Sequence, residues 1–417
     1  MNELTYVLSQ IIQYLVLGLG IYFFVVSVFG WIKFREPKGK DVKPQKRFAL
    51  IASAHNEEAV VAQLVDSLAQ IDYPKDLYDI YIIADNCTDN TAQIAKDHGA
   101  NVFIRFNNVQ KGKGYALEWC FDKLFAGEKQ YDAFCIFDAD NLVHKNFLLE
   151  MNKQFCKGYK AVQGYIDSKN PFDSWISLSY SIGFWMSNRL YQLPRYHLGI
   201  SCGLSGTGFG VSTDLIKELG WGATCLTEDL EFTAKLVMNN EKVAFAYDAI
   251  IYDEKPLTLA QSWKQRKRWM QGFADCTKRF FIPLMKKAIK ERNVRAFDIA
   301  LYMVQPLRIL LFGIVTLIGY LSIVAEPGTF FTMSNFVPTY IFTVIMLAQT
   351  LYGPLVMIAE KKANLKVLLG FLVYPIYNLT WVPITIQGII DMDKKEWSHT
   401  LHTRQIDISE VDTEKVQ

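Results

Sequence analysis

Residues 131–141 read YDAFCIFDADN, a short apolar run that ends in two aspartates separated by one residue. A run of this length, aromatic and aliphatic and bounded by polar residues, suits a buried strand. Two carboxylates one residue apart, Asp138 and Asp140, project the same way if the strand persists through them. Like charges that close raise each other's pKa unless a cation sits between them. A hard divalent cation with oxygen ligands would serve, and would also bridge phosphate oxygens. An Asp-x-Asp recurs by chance, so the surrounding pattern carries the decision.

That pattern alternates. Residues 47–54 (RFALIASA), 79–84 (DIYIIA) and 101–106 read as further strands, and residues 57–71 have helical periodicity. Alternation of this kind predicts a parallel sheet with helices on both faces, whose ligands sit at the carboxyl ends of the strands. Asp85, in IIADNCTDN, ends the second predicted strand as Asp138 ends the fourth. A turn or helix-cap role explains Asp85 and Asp89 equally well.

The 417-residue chain is 51% hydrophobic and carries a formal charge of +2. It is too long for one typical soluble domain and too apolar to be wholly soluble. The near-neutral balance excludes bulk nucleic-acid binding. Its cysteines, 7 in number and without a CxxC, fit a reduced compartment rather than a disulfide framework or zinc site.

Residues 6–32 form an apolar run long enough to span a bilayer, which takes about 20 residues. Residues 1–5 carry Glu3 and no Lys or Arg, so the run reads as a retained anchor rather than a signal peptide. The basic stretch 33–47 then places the middle of the chain in the cytosol. Residues 299–325, 336–358 and 367–390 are each long enough to cross as well. Four crossings from an outside N-terminus would leave the C-terminus outside. Yet Lys394, Lys395, His399, His402 and Arg404 favour the cytosolic side. Either the rule fails here or one C-terminal stretch does not cross, with Pro375 and Pro383 permitting a broken or re-entrant helix. Residues 277–295 suit an interfacial helix bent at Pro283, or a plain amphipathic one. The tail, 398–417, is polar with the composition of a disordered segment.

Thr227-Glu228-Asp229 opens another predicted helix. Thr227 as N-cap and acids in the first turn explain the residue types fully, while the functional reading makes Asp229 a general base. Lys113, in QKGKGYAL, could approach a phosphate between its glycines, although the spacing is not that of a P-loop. In QSWKQRKRWMQG, 261–272, a helix brings Gln265, Arg268 and Trp269 onto one face at i, i+3 and i+4. That face offers a guanidinium for a phosphate and an indole for a sugar ring. Arg266 and Lys267 point elsewhere, toward lipid headgroups.

In this order the features resemble the membrane-integrated family 2 glycosyltransferases, the cellulose, chitin, hyaluronan and poly-N-acetylglucosamine synthases. Their pattern of D, DxD, TED and QxxRW reads here as Asp85, Asp138-Ala139-Asp140, Thr227-Glu228-Asp229 and Gln265 to Trp269. The resemblance covers nearly the whole chain and extends to SAHNEE (53–58) and KGKGYAL. It implies an α/β GT-A (Rossmann-like) cytosolic catalytic domain, residues 45–275, inserted between transmembrane α-helices. An anchor over 1–34, an interfacial helix over 276–298, membrane helices over 299–392 and a polar tail over 393–417 complete the division.

By the same likeness the enzyme is an inverting hexosyltransferase. Ala54, Asn56, Glu57 and Asp85 would hold the uridine of a UDP-sugar, and Lys113 its diphosphate. Asp138 and Asp140 would bind nucleotide and Mg2+ or Mn2+. Asp229, beside Glu228, would be the base. Gln265, Arg268 and Trp269 would close over the diphosphate, with Gly206, Thr207 and Trp269 on the acceptor side. UDP-glucose is the first donor and UDP-N-acetylglucosamine the second, by family frequency. The first reading of the product is a β-linked polysaccharide, a β-glucan, made processively and translocated across the plasma membrane by a multi-pass protein. The second is transfer of one or a few sugars to a lipid. A transporter with a regulatory cytosolic domain is the reading from another class, but Arg308 is the one clear intramembrane charge and a substrate path calls for more. Many relatives have a second N-terminal span and more spans after the catalytic domain, so a translocation channel here would need a homo-oligomer or the interfacial helix to complete it.

Overall fold

The computed structural model describes residues 2–32, 42–222, 225–326, 328–333, 337–394, 402 and 404–413. Most of the basic 33–47 stretch, Lys395 and His399 lie outside them. One sheet of 8 strands organises the middle of the chain. The strands are β1 (Phe48–Ala54), β2 (Tyr78–Asp85), β3 (Asn101–Arg105), β4 (Ala133–Asp138), β5 (Leu142–Val143), β6 (Ala161–Ser168), β7 (Phe209–Ser212) and β8 (Val243–Asp253). Their order is β3-β2-β1-β4-β7-β6-β8-β5.

The half β3-β2-β1-β4 is parallel, as the alternation predicts. The other half corrects the expectation of a parallel sheet throughout: β7 runs antiparallel to both β4 and β6, and β5 antiparallel to β8. β7 (FGVS) and β5 (LV) are too short to carry a periodic signal, so their direction left no trace in the sequence. Central strands bury both faces. Ala49, Ile51 and Phe134 pack into one core layer, and Phe48, Leu50 and Phe137 into the other. That is why FALIASA reads as a continuous apolar run and not as an alternation.

Among the described residues three stretches are long and apolar enough to cross a membrane, Glu3–Val28, Gln305–Val324 and Leu365–Ile390, and a further apolar helix of 21 residues runs over Thr339–Ala359. The last stretch is broken at Thr380 into Leu365–Leu379 and Trp381–Ile390. One side of it packs on the sheet domain, while Leu365, Leu372, Ile376 and Ile390 are exposed. Before it, Lys362 pairs with Asp167 at 2.6 Å and Glu360 with Arg189 at 3.0 Å. Along it, Tyr377 packs on Tyr180 and Gln387 accepts from the Trp263 indole at 2.8 Å. After it, the Asp391 carbonyl accepts from Gln271 at 2.8 Å. The helix is broken at Thr380, as Pro375 and Pro383 permit, and residues at both of its ends contact the same domain.

The tail returns to that domain too. The Arg404 amide donates to Glu254 at 3.1 Å, and the short helix Ile408–Thr413 buries Ile408 and Val411 against Leu142 and Tyr252. The expectation of a disordered tail therefore fails for its described residues: two apolar side chains spaced by one helical turn anchor it.

Residues 259–290 form one helix of 32 residues, so the basic motif and the expected interfacial helix are continuous and Pro283 sits inside. A capping box of Thr258 and Gln261 starts it. It ends at Lys290 rather than Arg295, because Asn293 caps a new helix, Val294–Met303. The second half buries Cys276 and Leu284 against Leu230 and Ile299 and leaves Ile282 and Ile289 exposed.

Candidate active site

The carboxyl ends of β1, β2, β4 and β8 open on one cavity of about 1920 Å³, which continues upward between the membrane helices. Asp85, Lys113, Asp138, Asp140, Glu228 and Asp229 line it, as do Gln265, Arg268 and Trp269. Residues up to 184 positions apart in the chain, Asp85 and Trp269, thus share one space.

The strand does not persist through the aspartate pair. β4 ends at Asp138, and a turn carries Asp140. The turn is pinned by the Asp138 amide, which donates to Thr207 Oγ1 at 3.0 Å and Asn141 Oδ1 at 3.1 Å. The Asp138 carboxylate pairs with Lys113, whose ammonium also donates to the Gly206 carbonyl at 2.7 Å. Burial works against that ammonium, but Asp138, Glu228 and Asp229 together raise its pKa. Asp140 accepts from the Glu254 amide at 2.9 Å. Burial disfavours its charge, yet His402 and Lys169 hold its carboxyl below the ordinary range.

His402 comes from the tail and reaches Glu57 at 3.0 Å. Burial lowers its affinity for a proton, and Asp140 and Glu57 more than reverse that, lifting the imidazole to about 9. Burial also pushes Asp253, at the end of β8, up to about 6, helped by the charges of Asp140 and Asp138 and opposed by Lys255. Carboxylates therefore crowd one wall, which suits a bound cation.

Asp229 opens the helix Glu228–Met238. Burial, and then the charge of Glu228, push its carboxyl up to about 7. Thr227 occupies the N-cap position but its hydroxyl caps nothing, which corrects its expected role. Instead Thr227 packs on the long helix at Gly272, where a Cβ would come within 2.2 Å of its Oγ1. Gly206 (φ +79°) adopts the left-handed backbone that favours glycine, and a Cβ there would meet Asp229 Oδ2 at an ordinary contact distance of 3.6 Å.

On the long helix, Gln265 Oε1 and Arg268 Nε are buried without a hydrogen-bond partner among the described residues. Buried polar atoms are satisfied as a rule, so a pair of orphans lining a cavity marks a place for a polar ligand. Trp269 sits in an aromatic cluster, 5.9 Å from Tyr180 and 6.4 Å from Trp381 between centroids.

The remaining expectations fare unevenly. Ala54 and Asn56 are not among the wall residues. Asn56 (φ 56°) instead ties its loop to the Thr88 amide at 2.8 Å. Thr207 lines the wall, but its hydroxyl is spent on Asn141 and the turn. Arg266 does not face headgroups. It is fully buried, with its guanidinium 4.3 Å from the Tyr377 ring and donating to Thr380 at 2.8 Å. Lys267 pairs with Asp391.

Sequence reasoning missed Arg105, which pairs with Asp85 at 2.6 Å inside the core. It also missed Asp253, Glu254 and His402. Residues 243–253 carry a strand signal, and the strand-end rule applied there finds the first two. Nothing local announces His402.

A family model described as "Glycosyltransferase like family 2" matches residues 44–272. The chain belongs to that glycosyltransferase family. Curated relatives of this glycosyltransferase include a probable glycosyltransferase, YdaM, of Bacillus subtilis, 27% identical over 61% of this chain and 62% of its own length. A beta-monoglucosyldiacylglycerol synthase of Synechocystis is 27% identical over 55% of this chain and 48% of its own. A poly-beta-1,6-N-acetyl-D-glucosamine synthase of Staphylococcus epidermidis is 26% identical over 64% and 66%. The chain thus spans about half to two thirds of the length of these relatives. Among solved structures, mannosyltransferase PcManGT of Pyrobaculum calidifontis, in complex with GDP-Man and Mn2+, superposes with a TM-score of 0.63 at 15% identity, over 95% of this chain and all of that one. That likeness shows a GT-A-type fold.

Proposed function

We propose that this glycosyltransferase moves a sugar from a UDP donor to a hydroxyl of a membrane lipid, inverting the anomeric centre to give a β-linkage. The observation that carries the chemistry is Asp229, a carboxyl tuned to about 7 on the same cavity as Asp138 and Asp140. A general base works best with a pKa near the operating pH.

The acceptor hydroxyl attacks the anomeric carbon and passes its proton to Asp229. The bond from that carbon to the β-phosphate oxygen breaks, and UDP leaves with the electron pair. Negative charge grows on the diphosphate, where Arg268 holds an unused Nε–H donor. Asp85, steadied by Arg105, and Glu57 stand at the nucleoside end. Asp138 and Asp140 are hard oxygen donors on one wall, so the site fits Mg2+ or Mn2+; these two carboxylates would hold it. Such an ion supplies charge stabilisation to the leaving group. Glucose and N-acetylglucosamine are the first sugars to test, since relatives are named for products of both.

A lipid acceptor is favoured by the membrane half of the cavity, which is walled by Val16, Leu19, Phe23, Leu311 and Phe312. A hydrophilic polymer calls for a polar wall there. Polymer synthesis is the second reading, favoured by the QxxRW helix and by the poly-N-acetylglucosamine synthase relatives. We place the catalytic domain and the C-terminal tail on the cytosolic face. Three helices cross, and Leu365–Ile390 lies at the interface. Purified protein given radiolabelled UDP-sugars, metal and lipid decides between products. Organic-soluble label supports the lipid reading, high-molecular-weight hydrolase-sensitive material supports the polymer, and no UDP release from any donor overturns both.

A further inference from the structure

The catalytic roles leave Arg308 unused. Arg308 lies on Gln305–Val324, one turn inside the helix, and lines the membrane half of the same cavity. No described carboxylate pairs with its guanidinium, which instead lies 3.7 Å from the centre of the Phe23 ring. The carboxylate nearby on the preceding helix, Asp298, is committed elsewhere. It takes both arms of Arg195, at 2.8 and 2.9 Å, and the Tyr22 hydroxyl at 2.7 Å. A cation held at membrane depth against a ring face, without a counter-ion, is costly and marks a place where an anion binds.

The walls around it say what carries that anion. Val16, Leu19, Phe23 and Leu311 give the membrane half of the cavity an apolar wall, to which Phe24 and Phe312, 58% and 53% exposed, also belong. From Ser27 to Val16 the cavity follows the first helix for about 16 Å, half the hydrocarbon thickness. Toward the sheet it continues past Tyr302 to Asp229. An apolar wall, a guanidinium without a described carboxylate partner and a general base beyond it fit one kind of molecule.

We propose that Arg308 binds the phosphate of an anionic phospholipid acceptor. Its tails lie against the apolar wall of Val16, Leu19 and Phe23, and its headgroup carries a free hydroxyl to Asp229. Arginine suits this task because its planar fork pairs with phosphate oxygens bidentately. The acceptor role rests on the lipid reading given above, whereas the phosphate site stands independently of it.

The test uses the full chain in phosphatidylcholine nanodiscs, with phosphatidylglycerol as the anionic probe and diacylglycerol as the neutral one. Lipid retention is read by native mass spectrometry without donor, and UDP affinity is read separately. Wild-type protein is expected to retain phosphatidylglycerol at least about tenfold over diacylglycerol and to transfer label to it from the UDP-sugar. Arg308→Gln should lose that preference while binding UDP within about twofold of wild type; Arg308→Lys should keep part of it. Equal retention of the two lipids by wild type overturns the proposal without recourse to any variant. So does an Arg308→Gln protein that still prefers phosphatidylglycerol, or one that loses UDP instead, which would assign Arg308 to the donor. Selective retention with no transfer to any lipid keeps the phosphate site and removes the acceptor role.

Discussion

At the scale of single residues, the account turns on Asp229. Asp229→Asn keeps the shape but removes the proton acceptor. It should lower kcat by about 10³-fold, within the usual worth of a positioned base, and leave UDP affinity unchanged in a titration. The pKa gives a second check. Burial and Glu228 raise the carboxyl to about 7, so it is protonated, and idle as a base, in acid. The acid limb of kcat/KM should therefore rise about tenfold per pH unit up to about pH 7 and flatten above it. Glu228→Gln removes the like charge and should move that limb to lower pH.

Much at this scale was legible in the sequence, because strand ends and helix starts are local. The aspartates after DIYIIA and CIF, and the pair after Thr227, all face the cavity. What was hidden depends on the third dimension. Arg266 and Arg268 look alike in QRKRW, yet one is buried on Tyr377 and Trp381 and the other faces the cavity. His402 needed a tail that folds back.

At the scale of elements, the helix Leu259–Lys290 is the joint of the molecule. One side presents Gln265, Arg268 and Trp269 to the cavity. Gly272 seats the start of the Asp229 helix, and Arg266 and Trp263 hold the broken helix above. Gly272→Ala should cost about 1–3 kcal/mol by overpacking Thr227, and should lower kcat by shifting Asp229. Thr227→Ala in the same protein should restore part of both, read as a coupling in a double-mutant cycle of thermal unfolding and turnover. Simple additivity would show that the close approach plays no part. The amphipathic period announced this helix, but its length was obscured by Pro283, which the structure accommodates without ending the helix. The antiparallel β7 was obscured by shortness.

At the scale of the whole molecule, the broken apolar stretch 365–390 decides the topology. Length and hydropathy alone qualify it as a span. Its contacts with Tyr180, Trp263 and Gln271, and the ion pairs at either end, keep it beside the catalytic domain. Single cysteines placed at Asn364 and at Asp393 in a cysteine-free background should label from the same side, the cytosolic one. Labelling from opposite sides would restore a fourth crossing. Hydropathy reports how apolar a segment is, not what it lies against, so these contacts left no trace in the sequence.

One site assembled from distant carboxylates and one helix is the claim on which the rest depends. The direct measurement is a crystal structure with UDP and Mn2+, phased for the anomalous scattering of manganese. The account predicts a manganese peak at the Asp140 carboxylate, shared with a diphosphate that Arg268 touches. A peak remote from Asp140, or a UDP that binds out of reach of Arg268, would contradict it.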